Sequence, residues 1–198
     1  MKRMILILFV AIIAFAGHGY AQDSPRMVVE KYLSAVRNND YDRAYSYISK
    51  TDTTIIDWLE IIKYVKEIAP PKLTRVIDLA HGATVQEVVS ASVNDNTAIV
   101  KLHSIVPDMK ETLQVIHDPD EIQFLFEQGG LPVKERLGEC KLVVEDDTWK
   151  ISEVKGVSAG QAAEIATDFA EKILGKDEAE IINKKIDDFV KKQEKQIL

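Results

Sequence analysis

The order of hydrophobic periodicities predicts an α+β fold in which helices come first, antiparallel strands second and helices last. Three observations carry this prediction. Apolar residues recur at helical spacing between Pro25 and Val65, and two strand-like stretches fold back at Asn94-Asp95-Asn96 and Asp146-Asp147. Helical spacing then returns after Ser158. The chain has 198 residues, 46% hydrophobic and 29% charged, which suits one globular domain with an appendage. The same balance argues against a fibrous, wholly disordered or polytopic membrane protein.

The first 21 residues read as an address. Met1-Lys2-Arg3 is followed by an apolar run from Met4 to Ala16, well short of the ~20 residues that span hydrocarbon as a helix. Gly19-Tyr20-Ala21 then supplies small residues at the −3 and −1 positions of a cleavage site. This is the pattern of a signal peptide cut after Ala21, so the expected location is periplasmic or secreted, with no stable membrane anchor after cleavage. No Cys lies near the cut to accept a lipid. Lys2 and Arg3 are the only charged residues removed, which moves the net charge from −7 to −9. A chain this acidic is expected to be soluble and to avoid anionic lipid surfaces.

Ser24-Pro25 opens the first helix, a capping hydroxyl followed by Pro at the first helical position. Val28, Val29, Tyr32, Leu33 and Val36 form its apolar face. Asn38-Asn39-Asp40 ends it, and Asp40 caps a short second helix carrying Tyr41, Ala44, Tyr45 and Ile48. A third opens near Asp52 or Thr53 and runs through Ile55, Trp58, Leu59, Ile62 and Val65 until Pro70-Pro71 stops it. Residues 84–93 and 97–106 form the first hairpin. Val93 opposite Ala98 sets a register of Ala91/Val100, Val89/Leu102, Glu87/Ser104 and Val85/Val106 on one face, with Val88/His103, Ser90/Lys101 and Ser92/Ile99 on the other. The second hairpin, Glu139 to Lys155, pairs Glu145/Thr148, Val144/Trp149, Leu142/Ile151 and Cys140/Glu153. Cys140, the single cysteine, thus reads as a small, partly buried hydrophobe rather than a reactive thiol.

Between the hairpins, Pro107 to Leu137 reads as an insertion, either a lid or a filler for one end of the core. Asp118-Pro119-Asp120-Glu121 starts a helix there and Gly129-Gly130 ends it; Met109 to Ile116 is open between helix and strand. Ser158 with Gln161 makes a capping box for a helix faced by Ala162, Ile165, Ala166, Phe169 and Ile173. Gly175 separates it from a last helix carrying Ile182, Ile186, Phe189 and Val190. The domain plan is a signal peptide over 1–21, a domain over 22–157 with an insertion at about 107–137, and a helical hairpin over 158–198. That hairpin is expected to dock on its own domain, or to serve as a surface for a partner or a homo-oligomer.

The segment SPRMVVEKYLSAVRNNDYDRAYSYIS resembles the opening of the nuclear transport factor 2-like superfamily, with its Pro, paired valines, Tyr-Leu and later Asp-Tyr and Ala-Tyr steps. KLVVEDDTWKISEV looks like that superfamily's closing strands, where Trp-Lys-Ile is common. The likeness covers roughly residues 24 to 155 and is closest to the exported bacterial branch of unknown function. It implies a cystatin-like cone, in which N-terminal helices pack on a curved antiparallel sheet with an apolar cavity between, here followed by a C-terminal helical extension. The missing lipid-acceptor Cys, the long insertion and the helical tail are departures from that pattern.

Superfamily isomerases and dehydratases, such as ketosteroid isomerase, use a buried Asp or an Asp/His pair as base and a Tyr or Asp as oxyanion donor. An apolar cavity suits this because it raises a carboxyl toward working pH. Here the register sets Glu87 on an otherwise apolar face beside Ser104, while Tyr32 or Tyr45 can supply a phenol. Trp58 and Trp149 complete the candidate pocket. His103 falls on the opposite face from Glu87, so no dyad is expected. The three remaining histidines, His81, His103 and His117, lack metal-ligand spacing, and no nucleotide loop or nucleophile motif appears. No metal, cofactor or nucleic-acid partner is therefore expected. The first reading is an exported, non-enzymatic module binding a small apolar ligand or an envelope protein. The second is an isomerase or lyase with Glu87 as general base.

Overall fold

The computed structural model describes residues 23–51, 54–155 and 159–194. Helix α1 (Pro25–Arg37) starts as the sequence predicts: the Ser24 hydroxyl accepts from the Met27 amide, and Val28, Val29, Tyr32, Ala35 and Val36 are buried. Asn39 takes a left-handed φ of 57° to turn the chain, and Asp40 caps α2 (Tyr41–Tyr45) by accepting from the Arg43 amide. Helix α3 spans Thr54–Ile68; its expected start at Asp52 or Thr53 lies outside the described residues. Pro70-Pro71 ends α3, but Pro71 also occupies the first turn of α4 (Pro71–Gly82), a helix the sequence reading does not assign. A fixed φ near −65° breaks one helix and pre-organises the next.

Four strands follow: β1 (Val85–Asn94), β2 (Thr97–Pro107), β3 (Val133–Glu145) and β4 (Thr148–Val154). They form one antiparallel sheet in the order β1-β2-β3-β4. The Asp146-Asp147 turn holds φ values of 50° and 57°, which suit the right-handed twist of a two-residue hairpin. The first hairpin keeps the predicted register at Val93/Ala98, Ala91/Val100, Ser92/Ile99 and Ser90/Lys101, then shifts between Val88 and Ser90. One extra residue on β1 corrects every pair beyond it: Val88 faces Leu102, Glu87 faces His103, Gln86 faces Ser104 and Val85 faces Ile105. The bulge keeps Val88 buried while turning Glu87 outward. A second irregularity, between Lys141 and Leu142, pairs Cys140 with Val154 instead of Glu153.

Strand β3 begins at Val133, so the segment between β2 and β3 is shorter than the sequence suggests. It contains two helices, α5 (Met109–Val115) and α6 (Pro119–Glu127). Asp108 caps α5 and pairs with Lys134 at 2.5 Å, which holds its carboxyl below the usual range. Leu113 and Ile122 are fully buried, so the segment fills one end of a core. Helices α7 (Ala159–Leu174) and α8 (Lys176–Glu194) close the chain, joined by Gly175 at φ 82°. The expected cap Ser158 lies outside the described residues. Both helices contact α3.

Two hydrophobic clusters result. One lies between the sheet and α1, α2 and α3; the other joins α3 to α4 through α8. Trp58 touches both. The free edge of β4 is covered by Tyr47–Ser49, since the Ser49 amide donates to Ile151 O and the Ile151 amide to Tyr47 O, each at 2.8 Å. Buried Ser49 donates its hydroxyl to Glu145, whose other oxygen accepts from the Lys50 amide at 3.3 Å.

Candidate functional site

Of the residues expected to line a pocket, only Glu87 lines either of the two described grooves. Tyr32 is buried within the sheet-side cluster, and Tyr45, Trp58 and Trp149 are half-buried against it. The volume between helices and sheet is occupied by Tyr32, Val100, Leu102, Cys140, Leu142 and Ile151. The Tyr45 hydroxyl donates to Glu60 at 2.6 Å, and burial followed by that carboxylate pushes the phenol well above its ordinary range. Ser104 is buried on the inner side of β2.

Glu87 is exposed on the outer face and reaches His103, contrary to the separation expected from an unbulged hairpin. His103 Nδ1 lies 3.3 Å from Glu87, and Nε2 lies 3.4 Å from Glu135 on β3. A neutral imidazole has one N–H, so only the doubly protonated ring can donate to both carboxylates. Neither carboxylate is enclosed, and the surrounding face carries exposed Val85, Val133 and Leu137, the last 87% exposed. Among the described residues no group of three or more His, Cys, Asp or Glu side chains is arranged to hold a metal ion.

A polar network joins the ends of three helices. Lys66 Nζ is 2.5 Å from Asp78 and 2.9 Å from Asn39 Oδ1, which also accepts from the Tyr41 hydroxyl at 3.3 Å. Arg37 and Lys66 occupy the last turns of α1 and α3, where a positive charge meets the negative end of each helix dipole, and His81 occupies the last turn of α4. Burial, then the Lys66 and Arg37 charges, hold His81 below the ordinary imidazole range.

An open groove of about 640 Å³ lies on this side between α4 and α6. Ala69, Pro71, Leu79 and Phe126 give it apolar walls, and Arg75 crosses its rim to α6. The guanidinium contacts Asp120 at 2.6 Å and Gln123 at 2.5 Å. Phe124 on α6 and Val115 at the end of α5 are exposed. A volume of this order falls within the ~300–1,000 Å³ of ligand pockets. Sequence reasoning misses this groove because it treats Pro71 only as a stop. The signal was available: Leu73, Val76 and Leu79 after a Pro at a first helical turn mark an amphipathic helix. A second groove of about 290 Å³, between α1 and β1, is walled mainly by polar residues such as Arg26, Glu30, Arg37 and Gln86, with Glu87 among its lining residues.

No protein-family model matches the chain, and comparison with curated proteins finds no match.

Proposed function

We propose that the chain is an exported, non-enzymatic binding module of the nuclear transport factor 2-like kind, a cone with a C-terminal helical extension, whose ligand seat is the groove between α4 and α6. The carrying observation is the contrast between a filled interior and an open groove with apolar walls at Ala69, Leu79 and Phe126. A small apolar or amphipathic ligand, or a segment of an envelope protein, suits walls of that kind. The helices-then-sheet order and the 24–155 resemblance support the kinship. The basic start, apolar run and small-residue cleavage site support export.

The isomerase or lyase reading asks Glu87 to act as a base with a carboxyl raised by enclosure. Its exposed position beside His103 offers no such enclosure, so that reading is carried no further. Native mass spectrometry of the exported protein tests the proposal. The expected result is a co-purifying small molecule on a chain that begins at Gln22. Retained Met1 counts against cleavage after Ala21, and a bare chain after mild purification counts against a resident ligand. The same spectrum gives the subunit count that a homo-oligomer through the C-terminal helices requires.

A further inference from the structure

We propose that Arg75 makes the groove a seat for an anionic amphiphile, a single apolar chain ending in a carboxylate. This rests on the groove being the ligand seat. Arg75 and Asp78 are the two charged residues of its lining. Asp78 is neutralised from within by Lys66, whose side chain is 16% exposed, so its charge is committed to the fold. Arg75 is balanced only at the rim, by an Asp120 side chain that is 78% exposed. An exposed pair of that kind contributes ~0–1 kcal/mol and exchanges readily with another anion.

The guanidinium already presents its terminal nitrogens to two separate acceptors, Asp120 and Gln123. One ligand carboxylate can take both positions as a bidentate pair, which is the geometry that distinguishes Arg from a point charge. The apolar chain then lies along Ala69, Pro71, Leu79 and Phe126, with its charge at the rim. A neutral head would leave Arg75 on Asp120 and gain only the chain's burial. A cationic head would have to pair with the Asp78 or Asp120 carboxylate instead of Arg75.

The test is calorimetric titration of the full exported chain with dodecanoate, dodecanol and dodecyltrimethylammonium, each below its micelle concentration. Dodecanoate is expected to bind about threefold more tightly than dodecanol, the gain of a charge-assisted pair at a partly exposed guanidinium. Arg75→Gln should bring dodecanoate down to the dodecanol level, and Asp120→Asn, which releases Arg75, should raise its affinity severalfold. Gly82→Phe serves as the blocking variant. Gly82 lines the groove, and a Cβ there meets nothing within 4 Å, so the backbone accepts a side chain at that position. It should abolish binding of dodecanoate and dodecanol alike, with an unchanged melting temperature. Equal affinities for dodecanoate and dodecanol, or an undiminished dodecanoate affinity in Arg75→Gln, overturn the role of Arg75 and leave the groove reading standing. Undiminished binding in Gly82→Phe overturns the groove reading itself, and no binding by any of the three probes overturns the amphiphile seat.

Discussion

The sheet-side core and the helical core share α3 as a wall but fill their volumes differently. Ile55 and Leu59 of α3 face the sheet, while Ile61 and Val65 face the helices. Against the sheet, Val29, Tyr32, Val100, Leu102 and Ile151 pack with dispersed small residues, Ala35, Ala44 and Ala98. On the other side, small residues recur every fourth position of α7, at Ala162, Ala166 and Ala170, and Ala179 continues them on α8. Small contact residues let helix axes approach, since interaxial distance follows the side chains between them. The bulk comes from Leu73, Leu113, Ile122 and Ile186. The larger groove lies where two short helices, α4 and α6 of 12 and 9 residues, run side by side, and the smaller one lies between α1 and β1.

The comparison breaks most severely if α8 is removed. Deleting residues 176–198 takes away Ala179, Ile182 and Ile186, all buried, and bares Ala170 and Ile173. Two isoleucines at ~1.5–3 kcal/mol each put the loss at about 3–6 kcal/mol in urea unfolding. Unchanged stability with lost self-association would instead assign α8 to a partner surface.

Next come matched truncations, one in each core. Ile151→Ala on β4 and Ile186→Ala on α8 remove fully buried side chains, and each should cost about 2–5 kcal/mol. Because α3 and Trp58 contact both clusters, each variant should still unfold in one transition by circular dichroism and by tryptophan fluorescence. Two separated transitions in Ile186→Ala would make α3 a partition between independent units.

The two halves also differ in what their sequence discloses. Strand alternation and turn residues reveal the sheet and its first register pairs, because each strand has one face to bury. They miss the bulge at Val89, since Val88 and Val89 are equally apolar and either can point inward. That single residue moves Glu87 from a supposed pocket to His103 on the outer face. Helix positions in the second half are legible in part, as at Asp118-Pro119 and Gly175. Their partners are not: Ile165 belongs to the predicted apolar stripe of α7 yet is 55% exposed. Periodicity marks a face without saying how wide a neighbour will cover, so a groove between two helices leaves no trace in either one.

Cys140 reports on the sheet-side half alone. It is fully buried, and burial followed by the nearby Glu139 charge pushes its thiol up to about 12. Alkylation by iodoacetamide at neutral pH should therefore be slow in the native protein, because the thiolate is the nucleophile and access requires opening. Ile151→Ala should accelerate it well beyond Ile186→Ala, since Ile151 lies in the same cluster. Equal acceleration by both would mean that the halves open together.

The smallest effect is a pH dependence at the helical side of α3. His81 on α4 is held below its ordinary 6.5 by burial first, then by the Lys66 and Arg37 charges, with Asp78 opposing them. The folded protein therefore binds fewer protons at His81 than the unfolded chain does between the two values. This contribution to stability is complete above about 6.5 and is lost as pH falls through that value toward the lower folded one. Partial exposure of the ring keeps the slope well under the ~1.4 kcal/mol per pH unit of a full proton. His81→Gln should flatten urea-unfolding stability between pH 7 and pH 5 relative to the parent. Lys66→Met should diminish the slope without abolishing it, because burial is the leading cause and remains. A parent slope that survives His81→Gln intact would move the proton uptake to another group.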